Sequence, residues 1–125
     1  KFIELAGDAA NGNILPTGKI LVTSLLDNSD PQKKVLEDYQ KAYQNKFSGN
    51  VSGFGGYAYD AVNLLAGALK GSSGDKQKIR DNLEATKGYV GATGEFNFTP
   101  QDHNGLSPDA FVMVEIKNGT WTLLK

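Results

Sequence analysis

The sequence lacks cysteine altogether, and it contains a single histidine and a single methionine in 125 residues. Without cysteine the chain can form no disulfide, use no thiol nucleophile and offer no thiolate metal ligand. One histidine with no cysteine also disfavours a zinc site. The missing cysteine leaves the cellular compartment open, since many proteins of this size in oxidising compartments need no disulfide.

An excess of charge of either sign is also missing. Lys and Arg number 13 against 14 for Asp and Glu, which gives a net charge of −1. No basic field is available to hold nucleic acid or an anionic membrane, so these partners are disfavoured. No apolar run approaches the roughly 18 residues of a membrane-spanning helix, and no signal peptide is visible. The chain opens on Lys1 without an initiator methionine, so we expect it to be processed or cut from something larger.

The most pronounced pattern lies in residues 51–70, in a chain whose length fits one domain. Apolar residues recur there at spacings of three and four, and we expect this stripe of a helix to be buried: Tyr57, Ala61, Leu64, Leu65 and Ala68. A glycine-dense loop that contains Phe54 precedes the helix. It is either a flexible entry to a core helix or a ligand-facing loop, because the N–H groups at a helix start attract anions.

The other elements follow from capping and turn signals. The patterns predict a short helical turn over 1–11, an extended segment over 14–22 with a turn at 16–18, helices from Asp30-Pro31 to about Phe47 and from Asp75 to about Lys87 with Gly88 at C′, and strands over 95–98, 111–116 and 120–124. Asn118-Gly119 between the last two strands predicts a hairpin.

Asp102 and His103 are neighbours in a polar loop, and a carboxylate can orient an imidazole for acid–base chemistry. Adjacent residues rarely form such a pair with good geometry, and no serine or cysteine nucleophile motif precedes them. The alternative is a loop in which Asp102 and Asn104 cap turns. An α/β enzyme that uses Asp102 and His103 is therefore the less favoured hypothesis. We predict no catalytic residue, no cofactor and no metal ligand.

Several segments taken in order resemble the type I periplasmic solute-binding proteins of ABC transporters, in the branched-chain amino-acid (Leu/Ile/Val) receptor family. The segments are LAGDAANGNIL at 5–15, which is similar to that family's "aGdaaeGvl" step, DP at 30–31 opening a charged helix, FGGYAYDA at 54–61, NFTPQDHNG at 97–105 and FVMVEIKNGTW at 111–121. Each motif is weak alone, but the ordered set covers essentially the whole chain.

The resemblance implies an α/β, three-layer fold of the type I periplasmic-binding-protein kind. This chain would be its C-terminal third, with three helices, short strands and a C-terminal hairpin. Residues 1–22 and 95–125 would belong to one lobe and residues 23–94 to the other, with hinge crossings near 20–25 and 94–98. The helices would then pack on sheet strands supplied by the rest of a longer protein.

The resemblance also implies where a ligand binds. In the family, the segment before the "YaYDA" helix helps to line the cleft, which implies Ser52, Gly53, Phe54 and Tyr57 as ligand-binding residues. Phe54 would supply an apolar or stacking contact, and Ser52 a hydrogen bond. The family's main anchors for the ligand's carboxylate and amine lie upstream, in segments absent from this sequence.

The implied function is that of the ligand-binding component, as a fragment, of an ABC importer for branched-chain amino acids or related small carboxylates. Such a protein would be periplasmic, or extracellular as a membrane-anchored lipoprotein. Its partners would be an amino acid or an aromatic or aliphatic carboxylate and, in the full-length protein, an ABC permease. A regulatory sensor domain of the same fold is the alternative. A cut piece would expose apolar helix faces, so we expect a homodimer formed by swapping or by edge pairing of strands.

Overall fold

The computed structural model describes residues 1–124. Within them the chain forms four α-helices and five β-strands: α1 (Phe2–Ala6), β1 (Ile14–Gly18), α2 (Lys33–Lys46), α3 (Gly53–Leu69), α4 (Lys76–Glu84), β2 (Tyr89–Val90), β3 (Glu95–Phe96), β4 (Phe111–Lys117) and β5 (Thr120–Leu123). Short 3₁₀ turns cover Gly7–Ala10, Lys19–Leu21, Thr23–Leu25 and Pro108–Ala110. None of the helices in residues 1–124 is long and apolar enough to cross a membrane.

Strands β1, β4 and β5 form an antiparallel sheet in the order β1-β4-β5, so β4 is central. The predicted hairpin is confirmed, because Asn118 (φ 50°) and Gly119 (φ 71°) adopt the left-handed conformation that a tight two-residue turn requires. Pro16 of β1 pairs with Met113 of β4. Because β1 lies at an edge of this sheet, the missing N–H of the proline is tolerated.

The extended segment predicted for 14–22 is correct only as far as Gly18. Lys19–Leu21 and Thr23–Leu25 are 3₁₀ turns instead of strand. The Thr23 hydroxyl donates to the carbonyl of Ile20 at 3.2 Å, a local hydrogen bond that competes with strand formation. The two turns lead the chain from the sheet to α2.

Helix α2 begins at Lys33, later than the predicted start at Asp30-Pro31. The Asp30 carboxylate accepts from the backbone N–H of Gln32 at 2.9 Å, so this residue caps a separate turn that precedes the helix. The buried residues of α2 are Leu36 and Tyr39, whereas Phe47 beyond its end is exposed.

Helix α3 begins at Gly53, with Ser52 as N-cap accepting from the backbone N–H of Gly55 at 3.3 Å. The glycine-dense segment is therefore the first turn of the helix, and its prediction as a preceding loop is wrong. Gly56 shows why glycine is needed there. A Cβ built on it would lie 3.0 Å from both Ile20 Cδ1 and Thr93 Cγ2, so the residue permits close packing.

The predicted buried stripe of α3 is wrong for most of its members. Ala68 is buried and Leu64 is partly buried, but Tyr57 and Leu65 are 53% and 46% exposed, and Ala61 is exposed. The buried residues of α3 are Gly56, Asp60 and Ala68. They are four and eight positions apart, so they lie on a face adjacent to the predicted one, and Gly56 and Asp60 have little or no hydrophobic side chain.

Helix α4 starts as predicted, because the Asp75 carboxylate caps it by accepting from Lys78 N at 3.0 Å. It ends at Glu84 instead of Lys87, so Gly88, with φ 62°, lies beyond the helix and not at C′. The predicted strand over 95–98 is limited to β3, which pairs with β2, a strand that was not predicted.

The hydrophobic core brings together the 3₁₀ region, α2, the loop after β2 and strand β4. Its buried members are Ile20, Val22, Leu26, Leu36, Tyr39, Ala92 and Val114. The division of the chain into two lobes stays a prediction, since this core includes residues from both of the proposed segments.

Candidate ligand-binding site

The first turns of α3 line a small recess in the surface. Its volume is about 130 Å³, and its lining is uncharged: Gly18, Ile20, Leu21, Gly53, Tyr57, Thr93, Leu106, Ala110 and Phe111. The lining comes from the end of β1, the 3₁₀ turn after it, α3, the loop between β2 and β3, and the start of β4. Several separate parts of the chain therefore meet at the beginning of α3.

The structure places the four predicted site residues in different positions. Gly53 and Tyr57 line the recess, whereas Ser52 and Phe54 do not. The Phe54 side chain is 86% exposed. Ser52 uses its hydroxyl oxygen as the cap of α3, where it accepts from Gly55 N. Ligand contact by these four residues stays a prediction.

A buried carboxylate connects α3 to the loop that supplies Thr93. Asp60 is 1% exposed, and its Oδ1 accepts from the backbone N–H of Ala92 at 2.8 Å. Its Oδ2 accepts from the backbone N–H of Thr93 at 2.8 Å and from the Thr93 hydroxyl at 2.6 Å. Burial of a charge is costly unless hydrogen bonds compensate it, and these three do so.

The loop at 91–94 is fitted closely around this carboxylate. A Cβ built on Gly91 would lie 2.6 Å from Asp60 Cγ, so no other residue fits without a shift. The buried Gln32 side chain donates from Nε2 to the Gly91 carbonyl at 3.0 Å, and Gly91 N donates to the Gly94 carbonyl at 2.8 Å. Gln32, immediately before α2, and Asp60 of α3 thus hold the loop in place.

Tyrosine rings lie beside the carboxylate. Burial raises the pKa of Tyr39, and the nearby Tyr43 and Asp60 act in the same direction. Burial likewise raises the pKa of Tyr89, with Asp60 as the next cause. The ring centroids of Tyr39 and Tyr59 are 4.9 Å apart. Both phenols with a raised pKa stay neutral at physiological pH.

The Asp102–His103 pair of the enzyme hypothesis is not assembled. Asp102 Oδ1 accepts from the backbone N–H groups of Asn104 at 2.9 Å and Gly105 at 3.1 Å, which confirms the turn-capping alternative. The His103 side chain instead contacts α4, where its Nε2 lies 3.0 Å from Glu84 Oε1.

A second cavity, of about 310 Å³, surrounds the histidine. It is lined by Arg80, Leu83, Glu84, Phe98 and His103. Arg80 Nε donates to Glu84 Oε1 at 2.7 Å, and this hydrogen bond is the main reason why the pKa of Glu84 is lowered. Within residues 1–124, no group of three or more His, Cys, Asp or Glu side chains could hold a metal ion.

Sequence reasoning identified two of the recess residues and missed the others. Thr93, Leu106 and Phe111 lie far from α3 in the sequence, and no local motif marks them. Asp60 carried one signal: it is an ionisable residue in an otherwise apolar helix, and such a residue is seldom fully buried without partners.

Comparison with known proteins agrees with this architecture. A model of the periplasmic binding protein family matches residues 2–120. The chain belongs to the periplasmic binding protein family. No curated protein matches it significantly.

Solved structures show the same fold. An extracellular ligand-binding receptor from Rhodopseudomonas palustris HaA2 is 27% identical, with a TM-score of 0.80 over 99% of this chain and 37% of that one. A leucine-binding protein from Thermotoga maritima MSB8 is 25% identical, with a TM-score of 0.65 over 98% and 33% of the two chains. An ABC transporter substrate-binding protein from Desulfitobacterium hafniense, 23% identical over 95% and 33% with a TM-score of 0.67, shares the fold.

The predicted fold class is therefore confirmed: the chain has part of the type I periplasmic-binding-protein fold, with mixed helices and strands. It spans about a third of the length of these relatives, 37% of the first and 33% of the second. The family is one of periplasmic binding proteins, and the two relatives are an extracellular ligand-binding receptor and a leucine-binding protein, which supports a ligand-binding role for this chain.

Proposed function

We propose that this chain is part of the ligand-binding component of an ABC importer for branched-chain amino acids or related small carboxylates. The observation that carries the proposal is the uncharged recess at the start of α3, in a chain of the periplasmic binding protein family. The relative from Thermotoga maritima is a leucine-binding protein, which favours a ligand of this chemistry.

The size and lining of the recess suit an apolar group. Its volume of about 130 Å³ is slightly smaller than the apolar cavity of about 150 Å³ that accommodates benzene in an engineered protein. A branched aliphatic chain fits such a space, and an aromatic ring fits tightly. Because no charged side chain lines the recess, the carboxylate and amine of an amino acid would be held by the remainder of a longer protein.

The exposed Phe54 is the second part of the proposed site. A phenylalanine that is 86% exposed on a helix start is available to a second lobe that closes over it. Tyr57 would contact the ligand from the recess, Gly53 would let the ligand approach the backbone closely, and the Ser52 hydroxyl can still donate a hydrogen bond. These are proposed roles.

The proposed mechanism is hinge closure. A ligand that touches two lobes stabilises the closed form, and the closed form is then recognised by an ABC permease in the full-length protein. We propose that residues 1–22 with 95–125 and residues 23–94 belong to different lobes, and that the receptor works in the periplasm or outside the cell as an anchored lipoprotein.

A second copy of the chain is the proposed partner when the chain is alone. Helix α3 exposes apolar side chains along one side, including Val62, Leu65 and Leu69, and large apolar patches are rarely left open. Light scattering on the isolated chain should give the mass of a homodimer, and Val62→Lys with Leu65→Lys should convert it to a monomer. A monomeric parent would contradict this part of the proposal.

Calorimetric titration tests the ligand-binding role. The panel is leucine, isoleucine, valine, phenylalanine and the corresponding amines without a carboxylate, added to the longest natural form that contains this chain. We expect one of the amino acids to bind and its amine to bind far more weakly. The Tyr57→Ala variant should lose affinity by about tenfold, because apolar contact area is removed from the ligand.

Val62→Ala is the matched control, since Val62 lies on the same helix and does not line the recess. Its affinity should equal that of the parent. A parent that binds no member of the panel, or Tyr57→Ala and Val62→Ala variants with equal affinities, would contradict the proposed site.

A further inference from the structure

We infer that Asp60 is a positioning residue for the recess. Asp60 holds Thr93, which lines the recess, against the first turns of α3, although the Asp60 carboxylate itself does not line the recess. The inference rests on the proposed function, because it concerns how this recess is shaped for a ligand. It assigns a binding role to a carboxylate that is 1% exposed and that lines a neighbouring cavity with Thr93 instead of the recess itself.

Both branches of the Thr93 side chain are occupied by contacts to α3. Its hydroxyl donates to Asp60 Oδ2 at 2.6 Å. Its methyl carbon lies so close to Gly56 that a Cβ there would be 3.0 Å away. Because a β-branched residue has few rotamers, the two contacts together select one orientation of Thr93.

Gly56 and Asp60 are four residues apart on α3 and therefore lie on the same face. The adjoining side of the same turns carries Gly53 and Tyr57, which line the recess. One short stretch of helix thus supplies part of the lining directly and fixes another part through Thr93. Any looseness between α3 and the loop at 91–94 would widen the recess.

Only a carboxylate satisfies the donors that converge at this point. Three groups donate to Asp60, and two of them are backbone N–H groups that cannot turn away. A carboxylate only accepts, whereas an amide would place an NH₂ donor against a backbone N–H. Asparagine at this position should therefore release one side of the loop even though its shape is similar.

The consequence for binding is preorganisation. A wall that is already in place costs the ligand no ordering free energy, whereas a mobile wall must be ordered at each binding event. Loss of the Asp60 contacts should hence appear mainly as faster ligand dissociation.

The test compares Asp60→Asn with the parent in the longest natural form that contains this chain, using the panel amino acid that the parent binds tightest. We expect affinity to fall by about tenfold, the ratio that corresponds to one lost charged hydrogen bond. Hydrogen exchange should become faster at the amides of Ala92 and Thr93 while that of Leu36 in α2 stays unchanged. Asp81→Asn, on the exposed surface of α4, is the matched control and should change neither quantity.

Thr93 variants keep the inference testable if Asp60→Asn does not fold. Thr93→Val is nearly isosteric and removes only the hydroxyl donor, so it should also weaken binding by about tenfold. Thr93→Ser restores the donor and should bind within about threefold of the parent, since hydroxyl-to-carboxylate bonding is retained. A purely structural role would make the serine variant, which loses a packed methyl, at least as poor as the valine variant.

The outcomes separate the inference from the proposed function. A parent that binds no panel member overturns both. A parent that binds, with affinity unchanged in Asp60→Asn and in Thr93→Val, overturns the positioning role alone. Faster exchange at Ala92 and Thr93 with unchanged affinity does the same, because the loop would then be loosened without any effect on the ligand.

Discussion

Two carboxylates each hold a loop in the second half of the chain, and they do so in opposite ways. Asp60 is buried and accepts from two backbone N–H groups and one hydroxyl in the loop at 91–94. Glu84 lies on α4 with a side chain that is 14% exposed, and the exposed Arg80 and His103 meet the same oxygen at 2.7 and 3.0 Å. The first carboxylate meets neutral donors, and the second meets a cation and a titratable ring.

The difference decides what each contact contributes. A buried hydrogen bond to a charged group is costly to break, because the partners that remain have no water to replace it. A surface ion pair is screened by solvent, and either partner can be hydrated when the pair separates. The loop at 91–94 is therefore an integral part of the fold, whereas the loop that carries His103 is attached to α4 by a contact that responds to pH and salt.

The largest effect is expected from removal of the buried carboxylate. Asp60→Ala leaves two backbone N–H groups and the Thr93 hydroxyl without an acceptor, and should lower the free energy of unfolding by about 3 kcal/mol. Urea denaturation followed by circular dichroism measures it. Asp81→Ala, an exposed acid on α4, is the control and should change stability by less than about 0.5 kcal/mol. Equal changes in the free energy of unfolding would contradict the expectation that the buried carboxylate contributes more to stability than an exposed one.

A smaller effect is expected when the Asp60 carboxylate is kept and a side chain is added in the space beside it. Gly91→Ala places a Cβ 2.6 Å from Asp60 Cγ, and this overpacking should destabilise the chain by about 2 kcal/mol. The control is Gly67→Ala on α3, where an added Cβ meets nothing within 4 Å. That substitution should stabilise the helix by about 0.5–1 kcal/mol, because alanine is the better helix former. Thermal unfolding of the pair should shift in opposite directions, and a shared direction would contradict the packing argument.

The smallest effect is expected at Glu84, as a dependence of the loop's hydrogen-exchange protection on pH. The hydrogen bond from Arg80 is the largest cause of the lowered pKa of Glu84, and the contact with His103 lowers this pKa further. A carboxyl group whose pKa is lower in the folded chain stabilises the folded form above its ordinary value, about 4.3 for glutamate, and loses this contribution as pH falls through the lowered value. The protection of the amides in residues 99–105 against hydrogen exchange, measured relative to the intrinsic exchange rate at each pH, should therefore fall in acid.

Glu84→Gln provides the reference for that measurement. The amides of its loop should show one reduced level of protection across the acid range, and added salt should move the protection of the parent towards that level. An acid response of the same size in Glu84→Gln would show that another group controls the loop.

The local features of the fold could be predicted from the sequence, and the nonlocal ones could not. Asn118-Gly119 predicts its own backbone conformation, since few other residues tolerate the left-handed region, and the hairpin was found. Helix α2 follows from periodicity. The buried face of α3 was missed because Gly56 and Asp60 contribute no hydrophobic signal, and their burial depends on Ile20 and on a loop more than thirty residues away.

The same limit applies to the site. Gly53 and Tyr57 were found through the resemblance of residues 54–61 to a family motif. Thr93 and Phe111 were not found, because they reach the recess only after the loop and the sheet have formed. The contact of His103 could not be predicted either, because its partner Glu84 lies 19 positions away in the sequence and no local motif connects them.

The proline in β1 makes the two edges of the sheet unequal as places where a further strand can pair. Met113, opposite Pro16, directs its carbonyl to Leu124 on the β5 side, so the nitrogen of Pro16 faces away from the sheet, where an added strand would seek a donor. A strand joining there would find a gap in the ladder. The opposite margin, beside Trp121 and Leu123, has no proline to interrupt it. Further strands, whether from a longer chain or from a second copy, are thus accommodated beside β5 and discouraged beside β1.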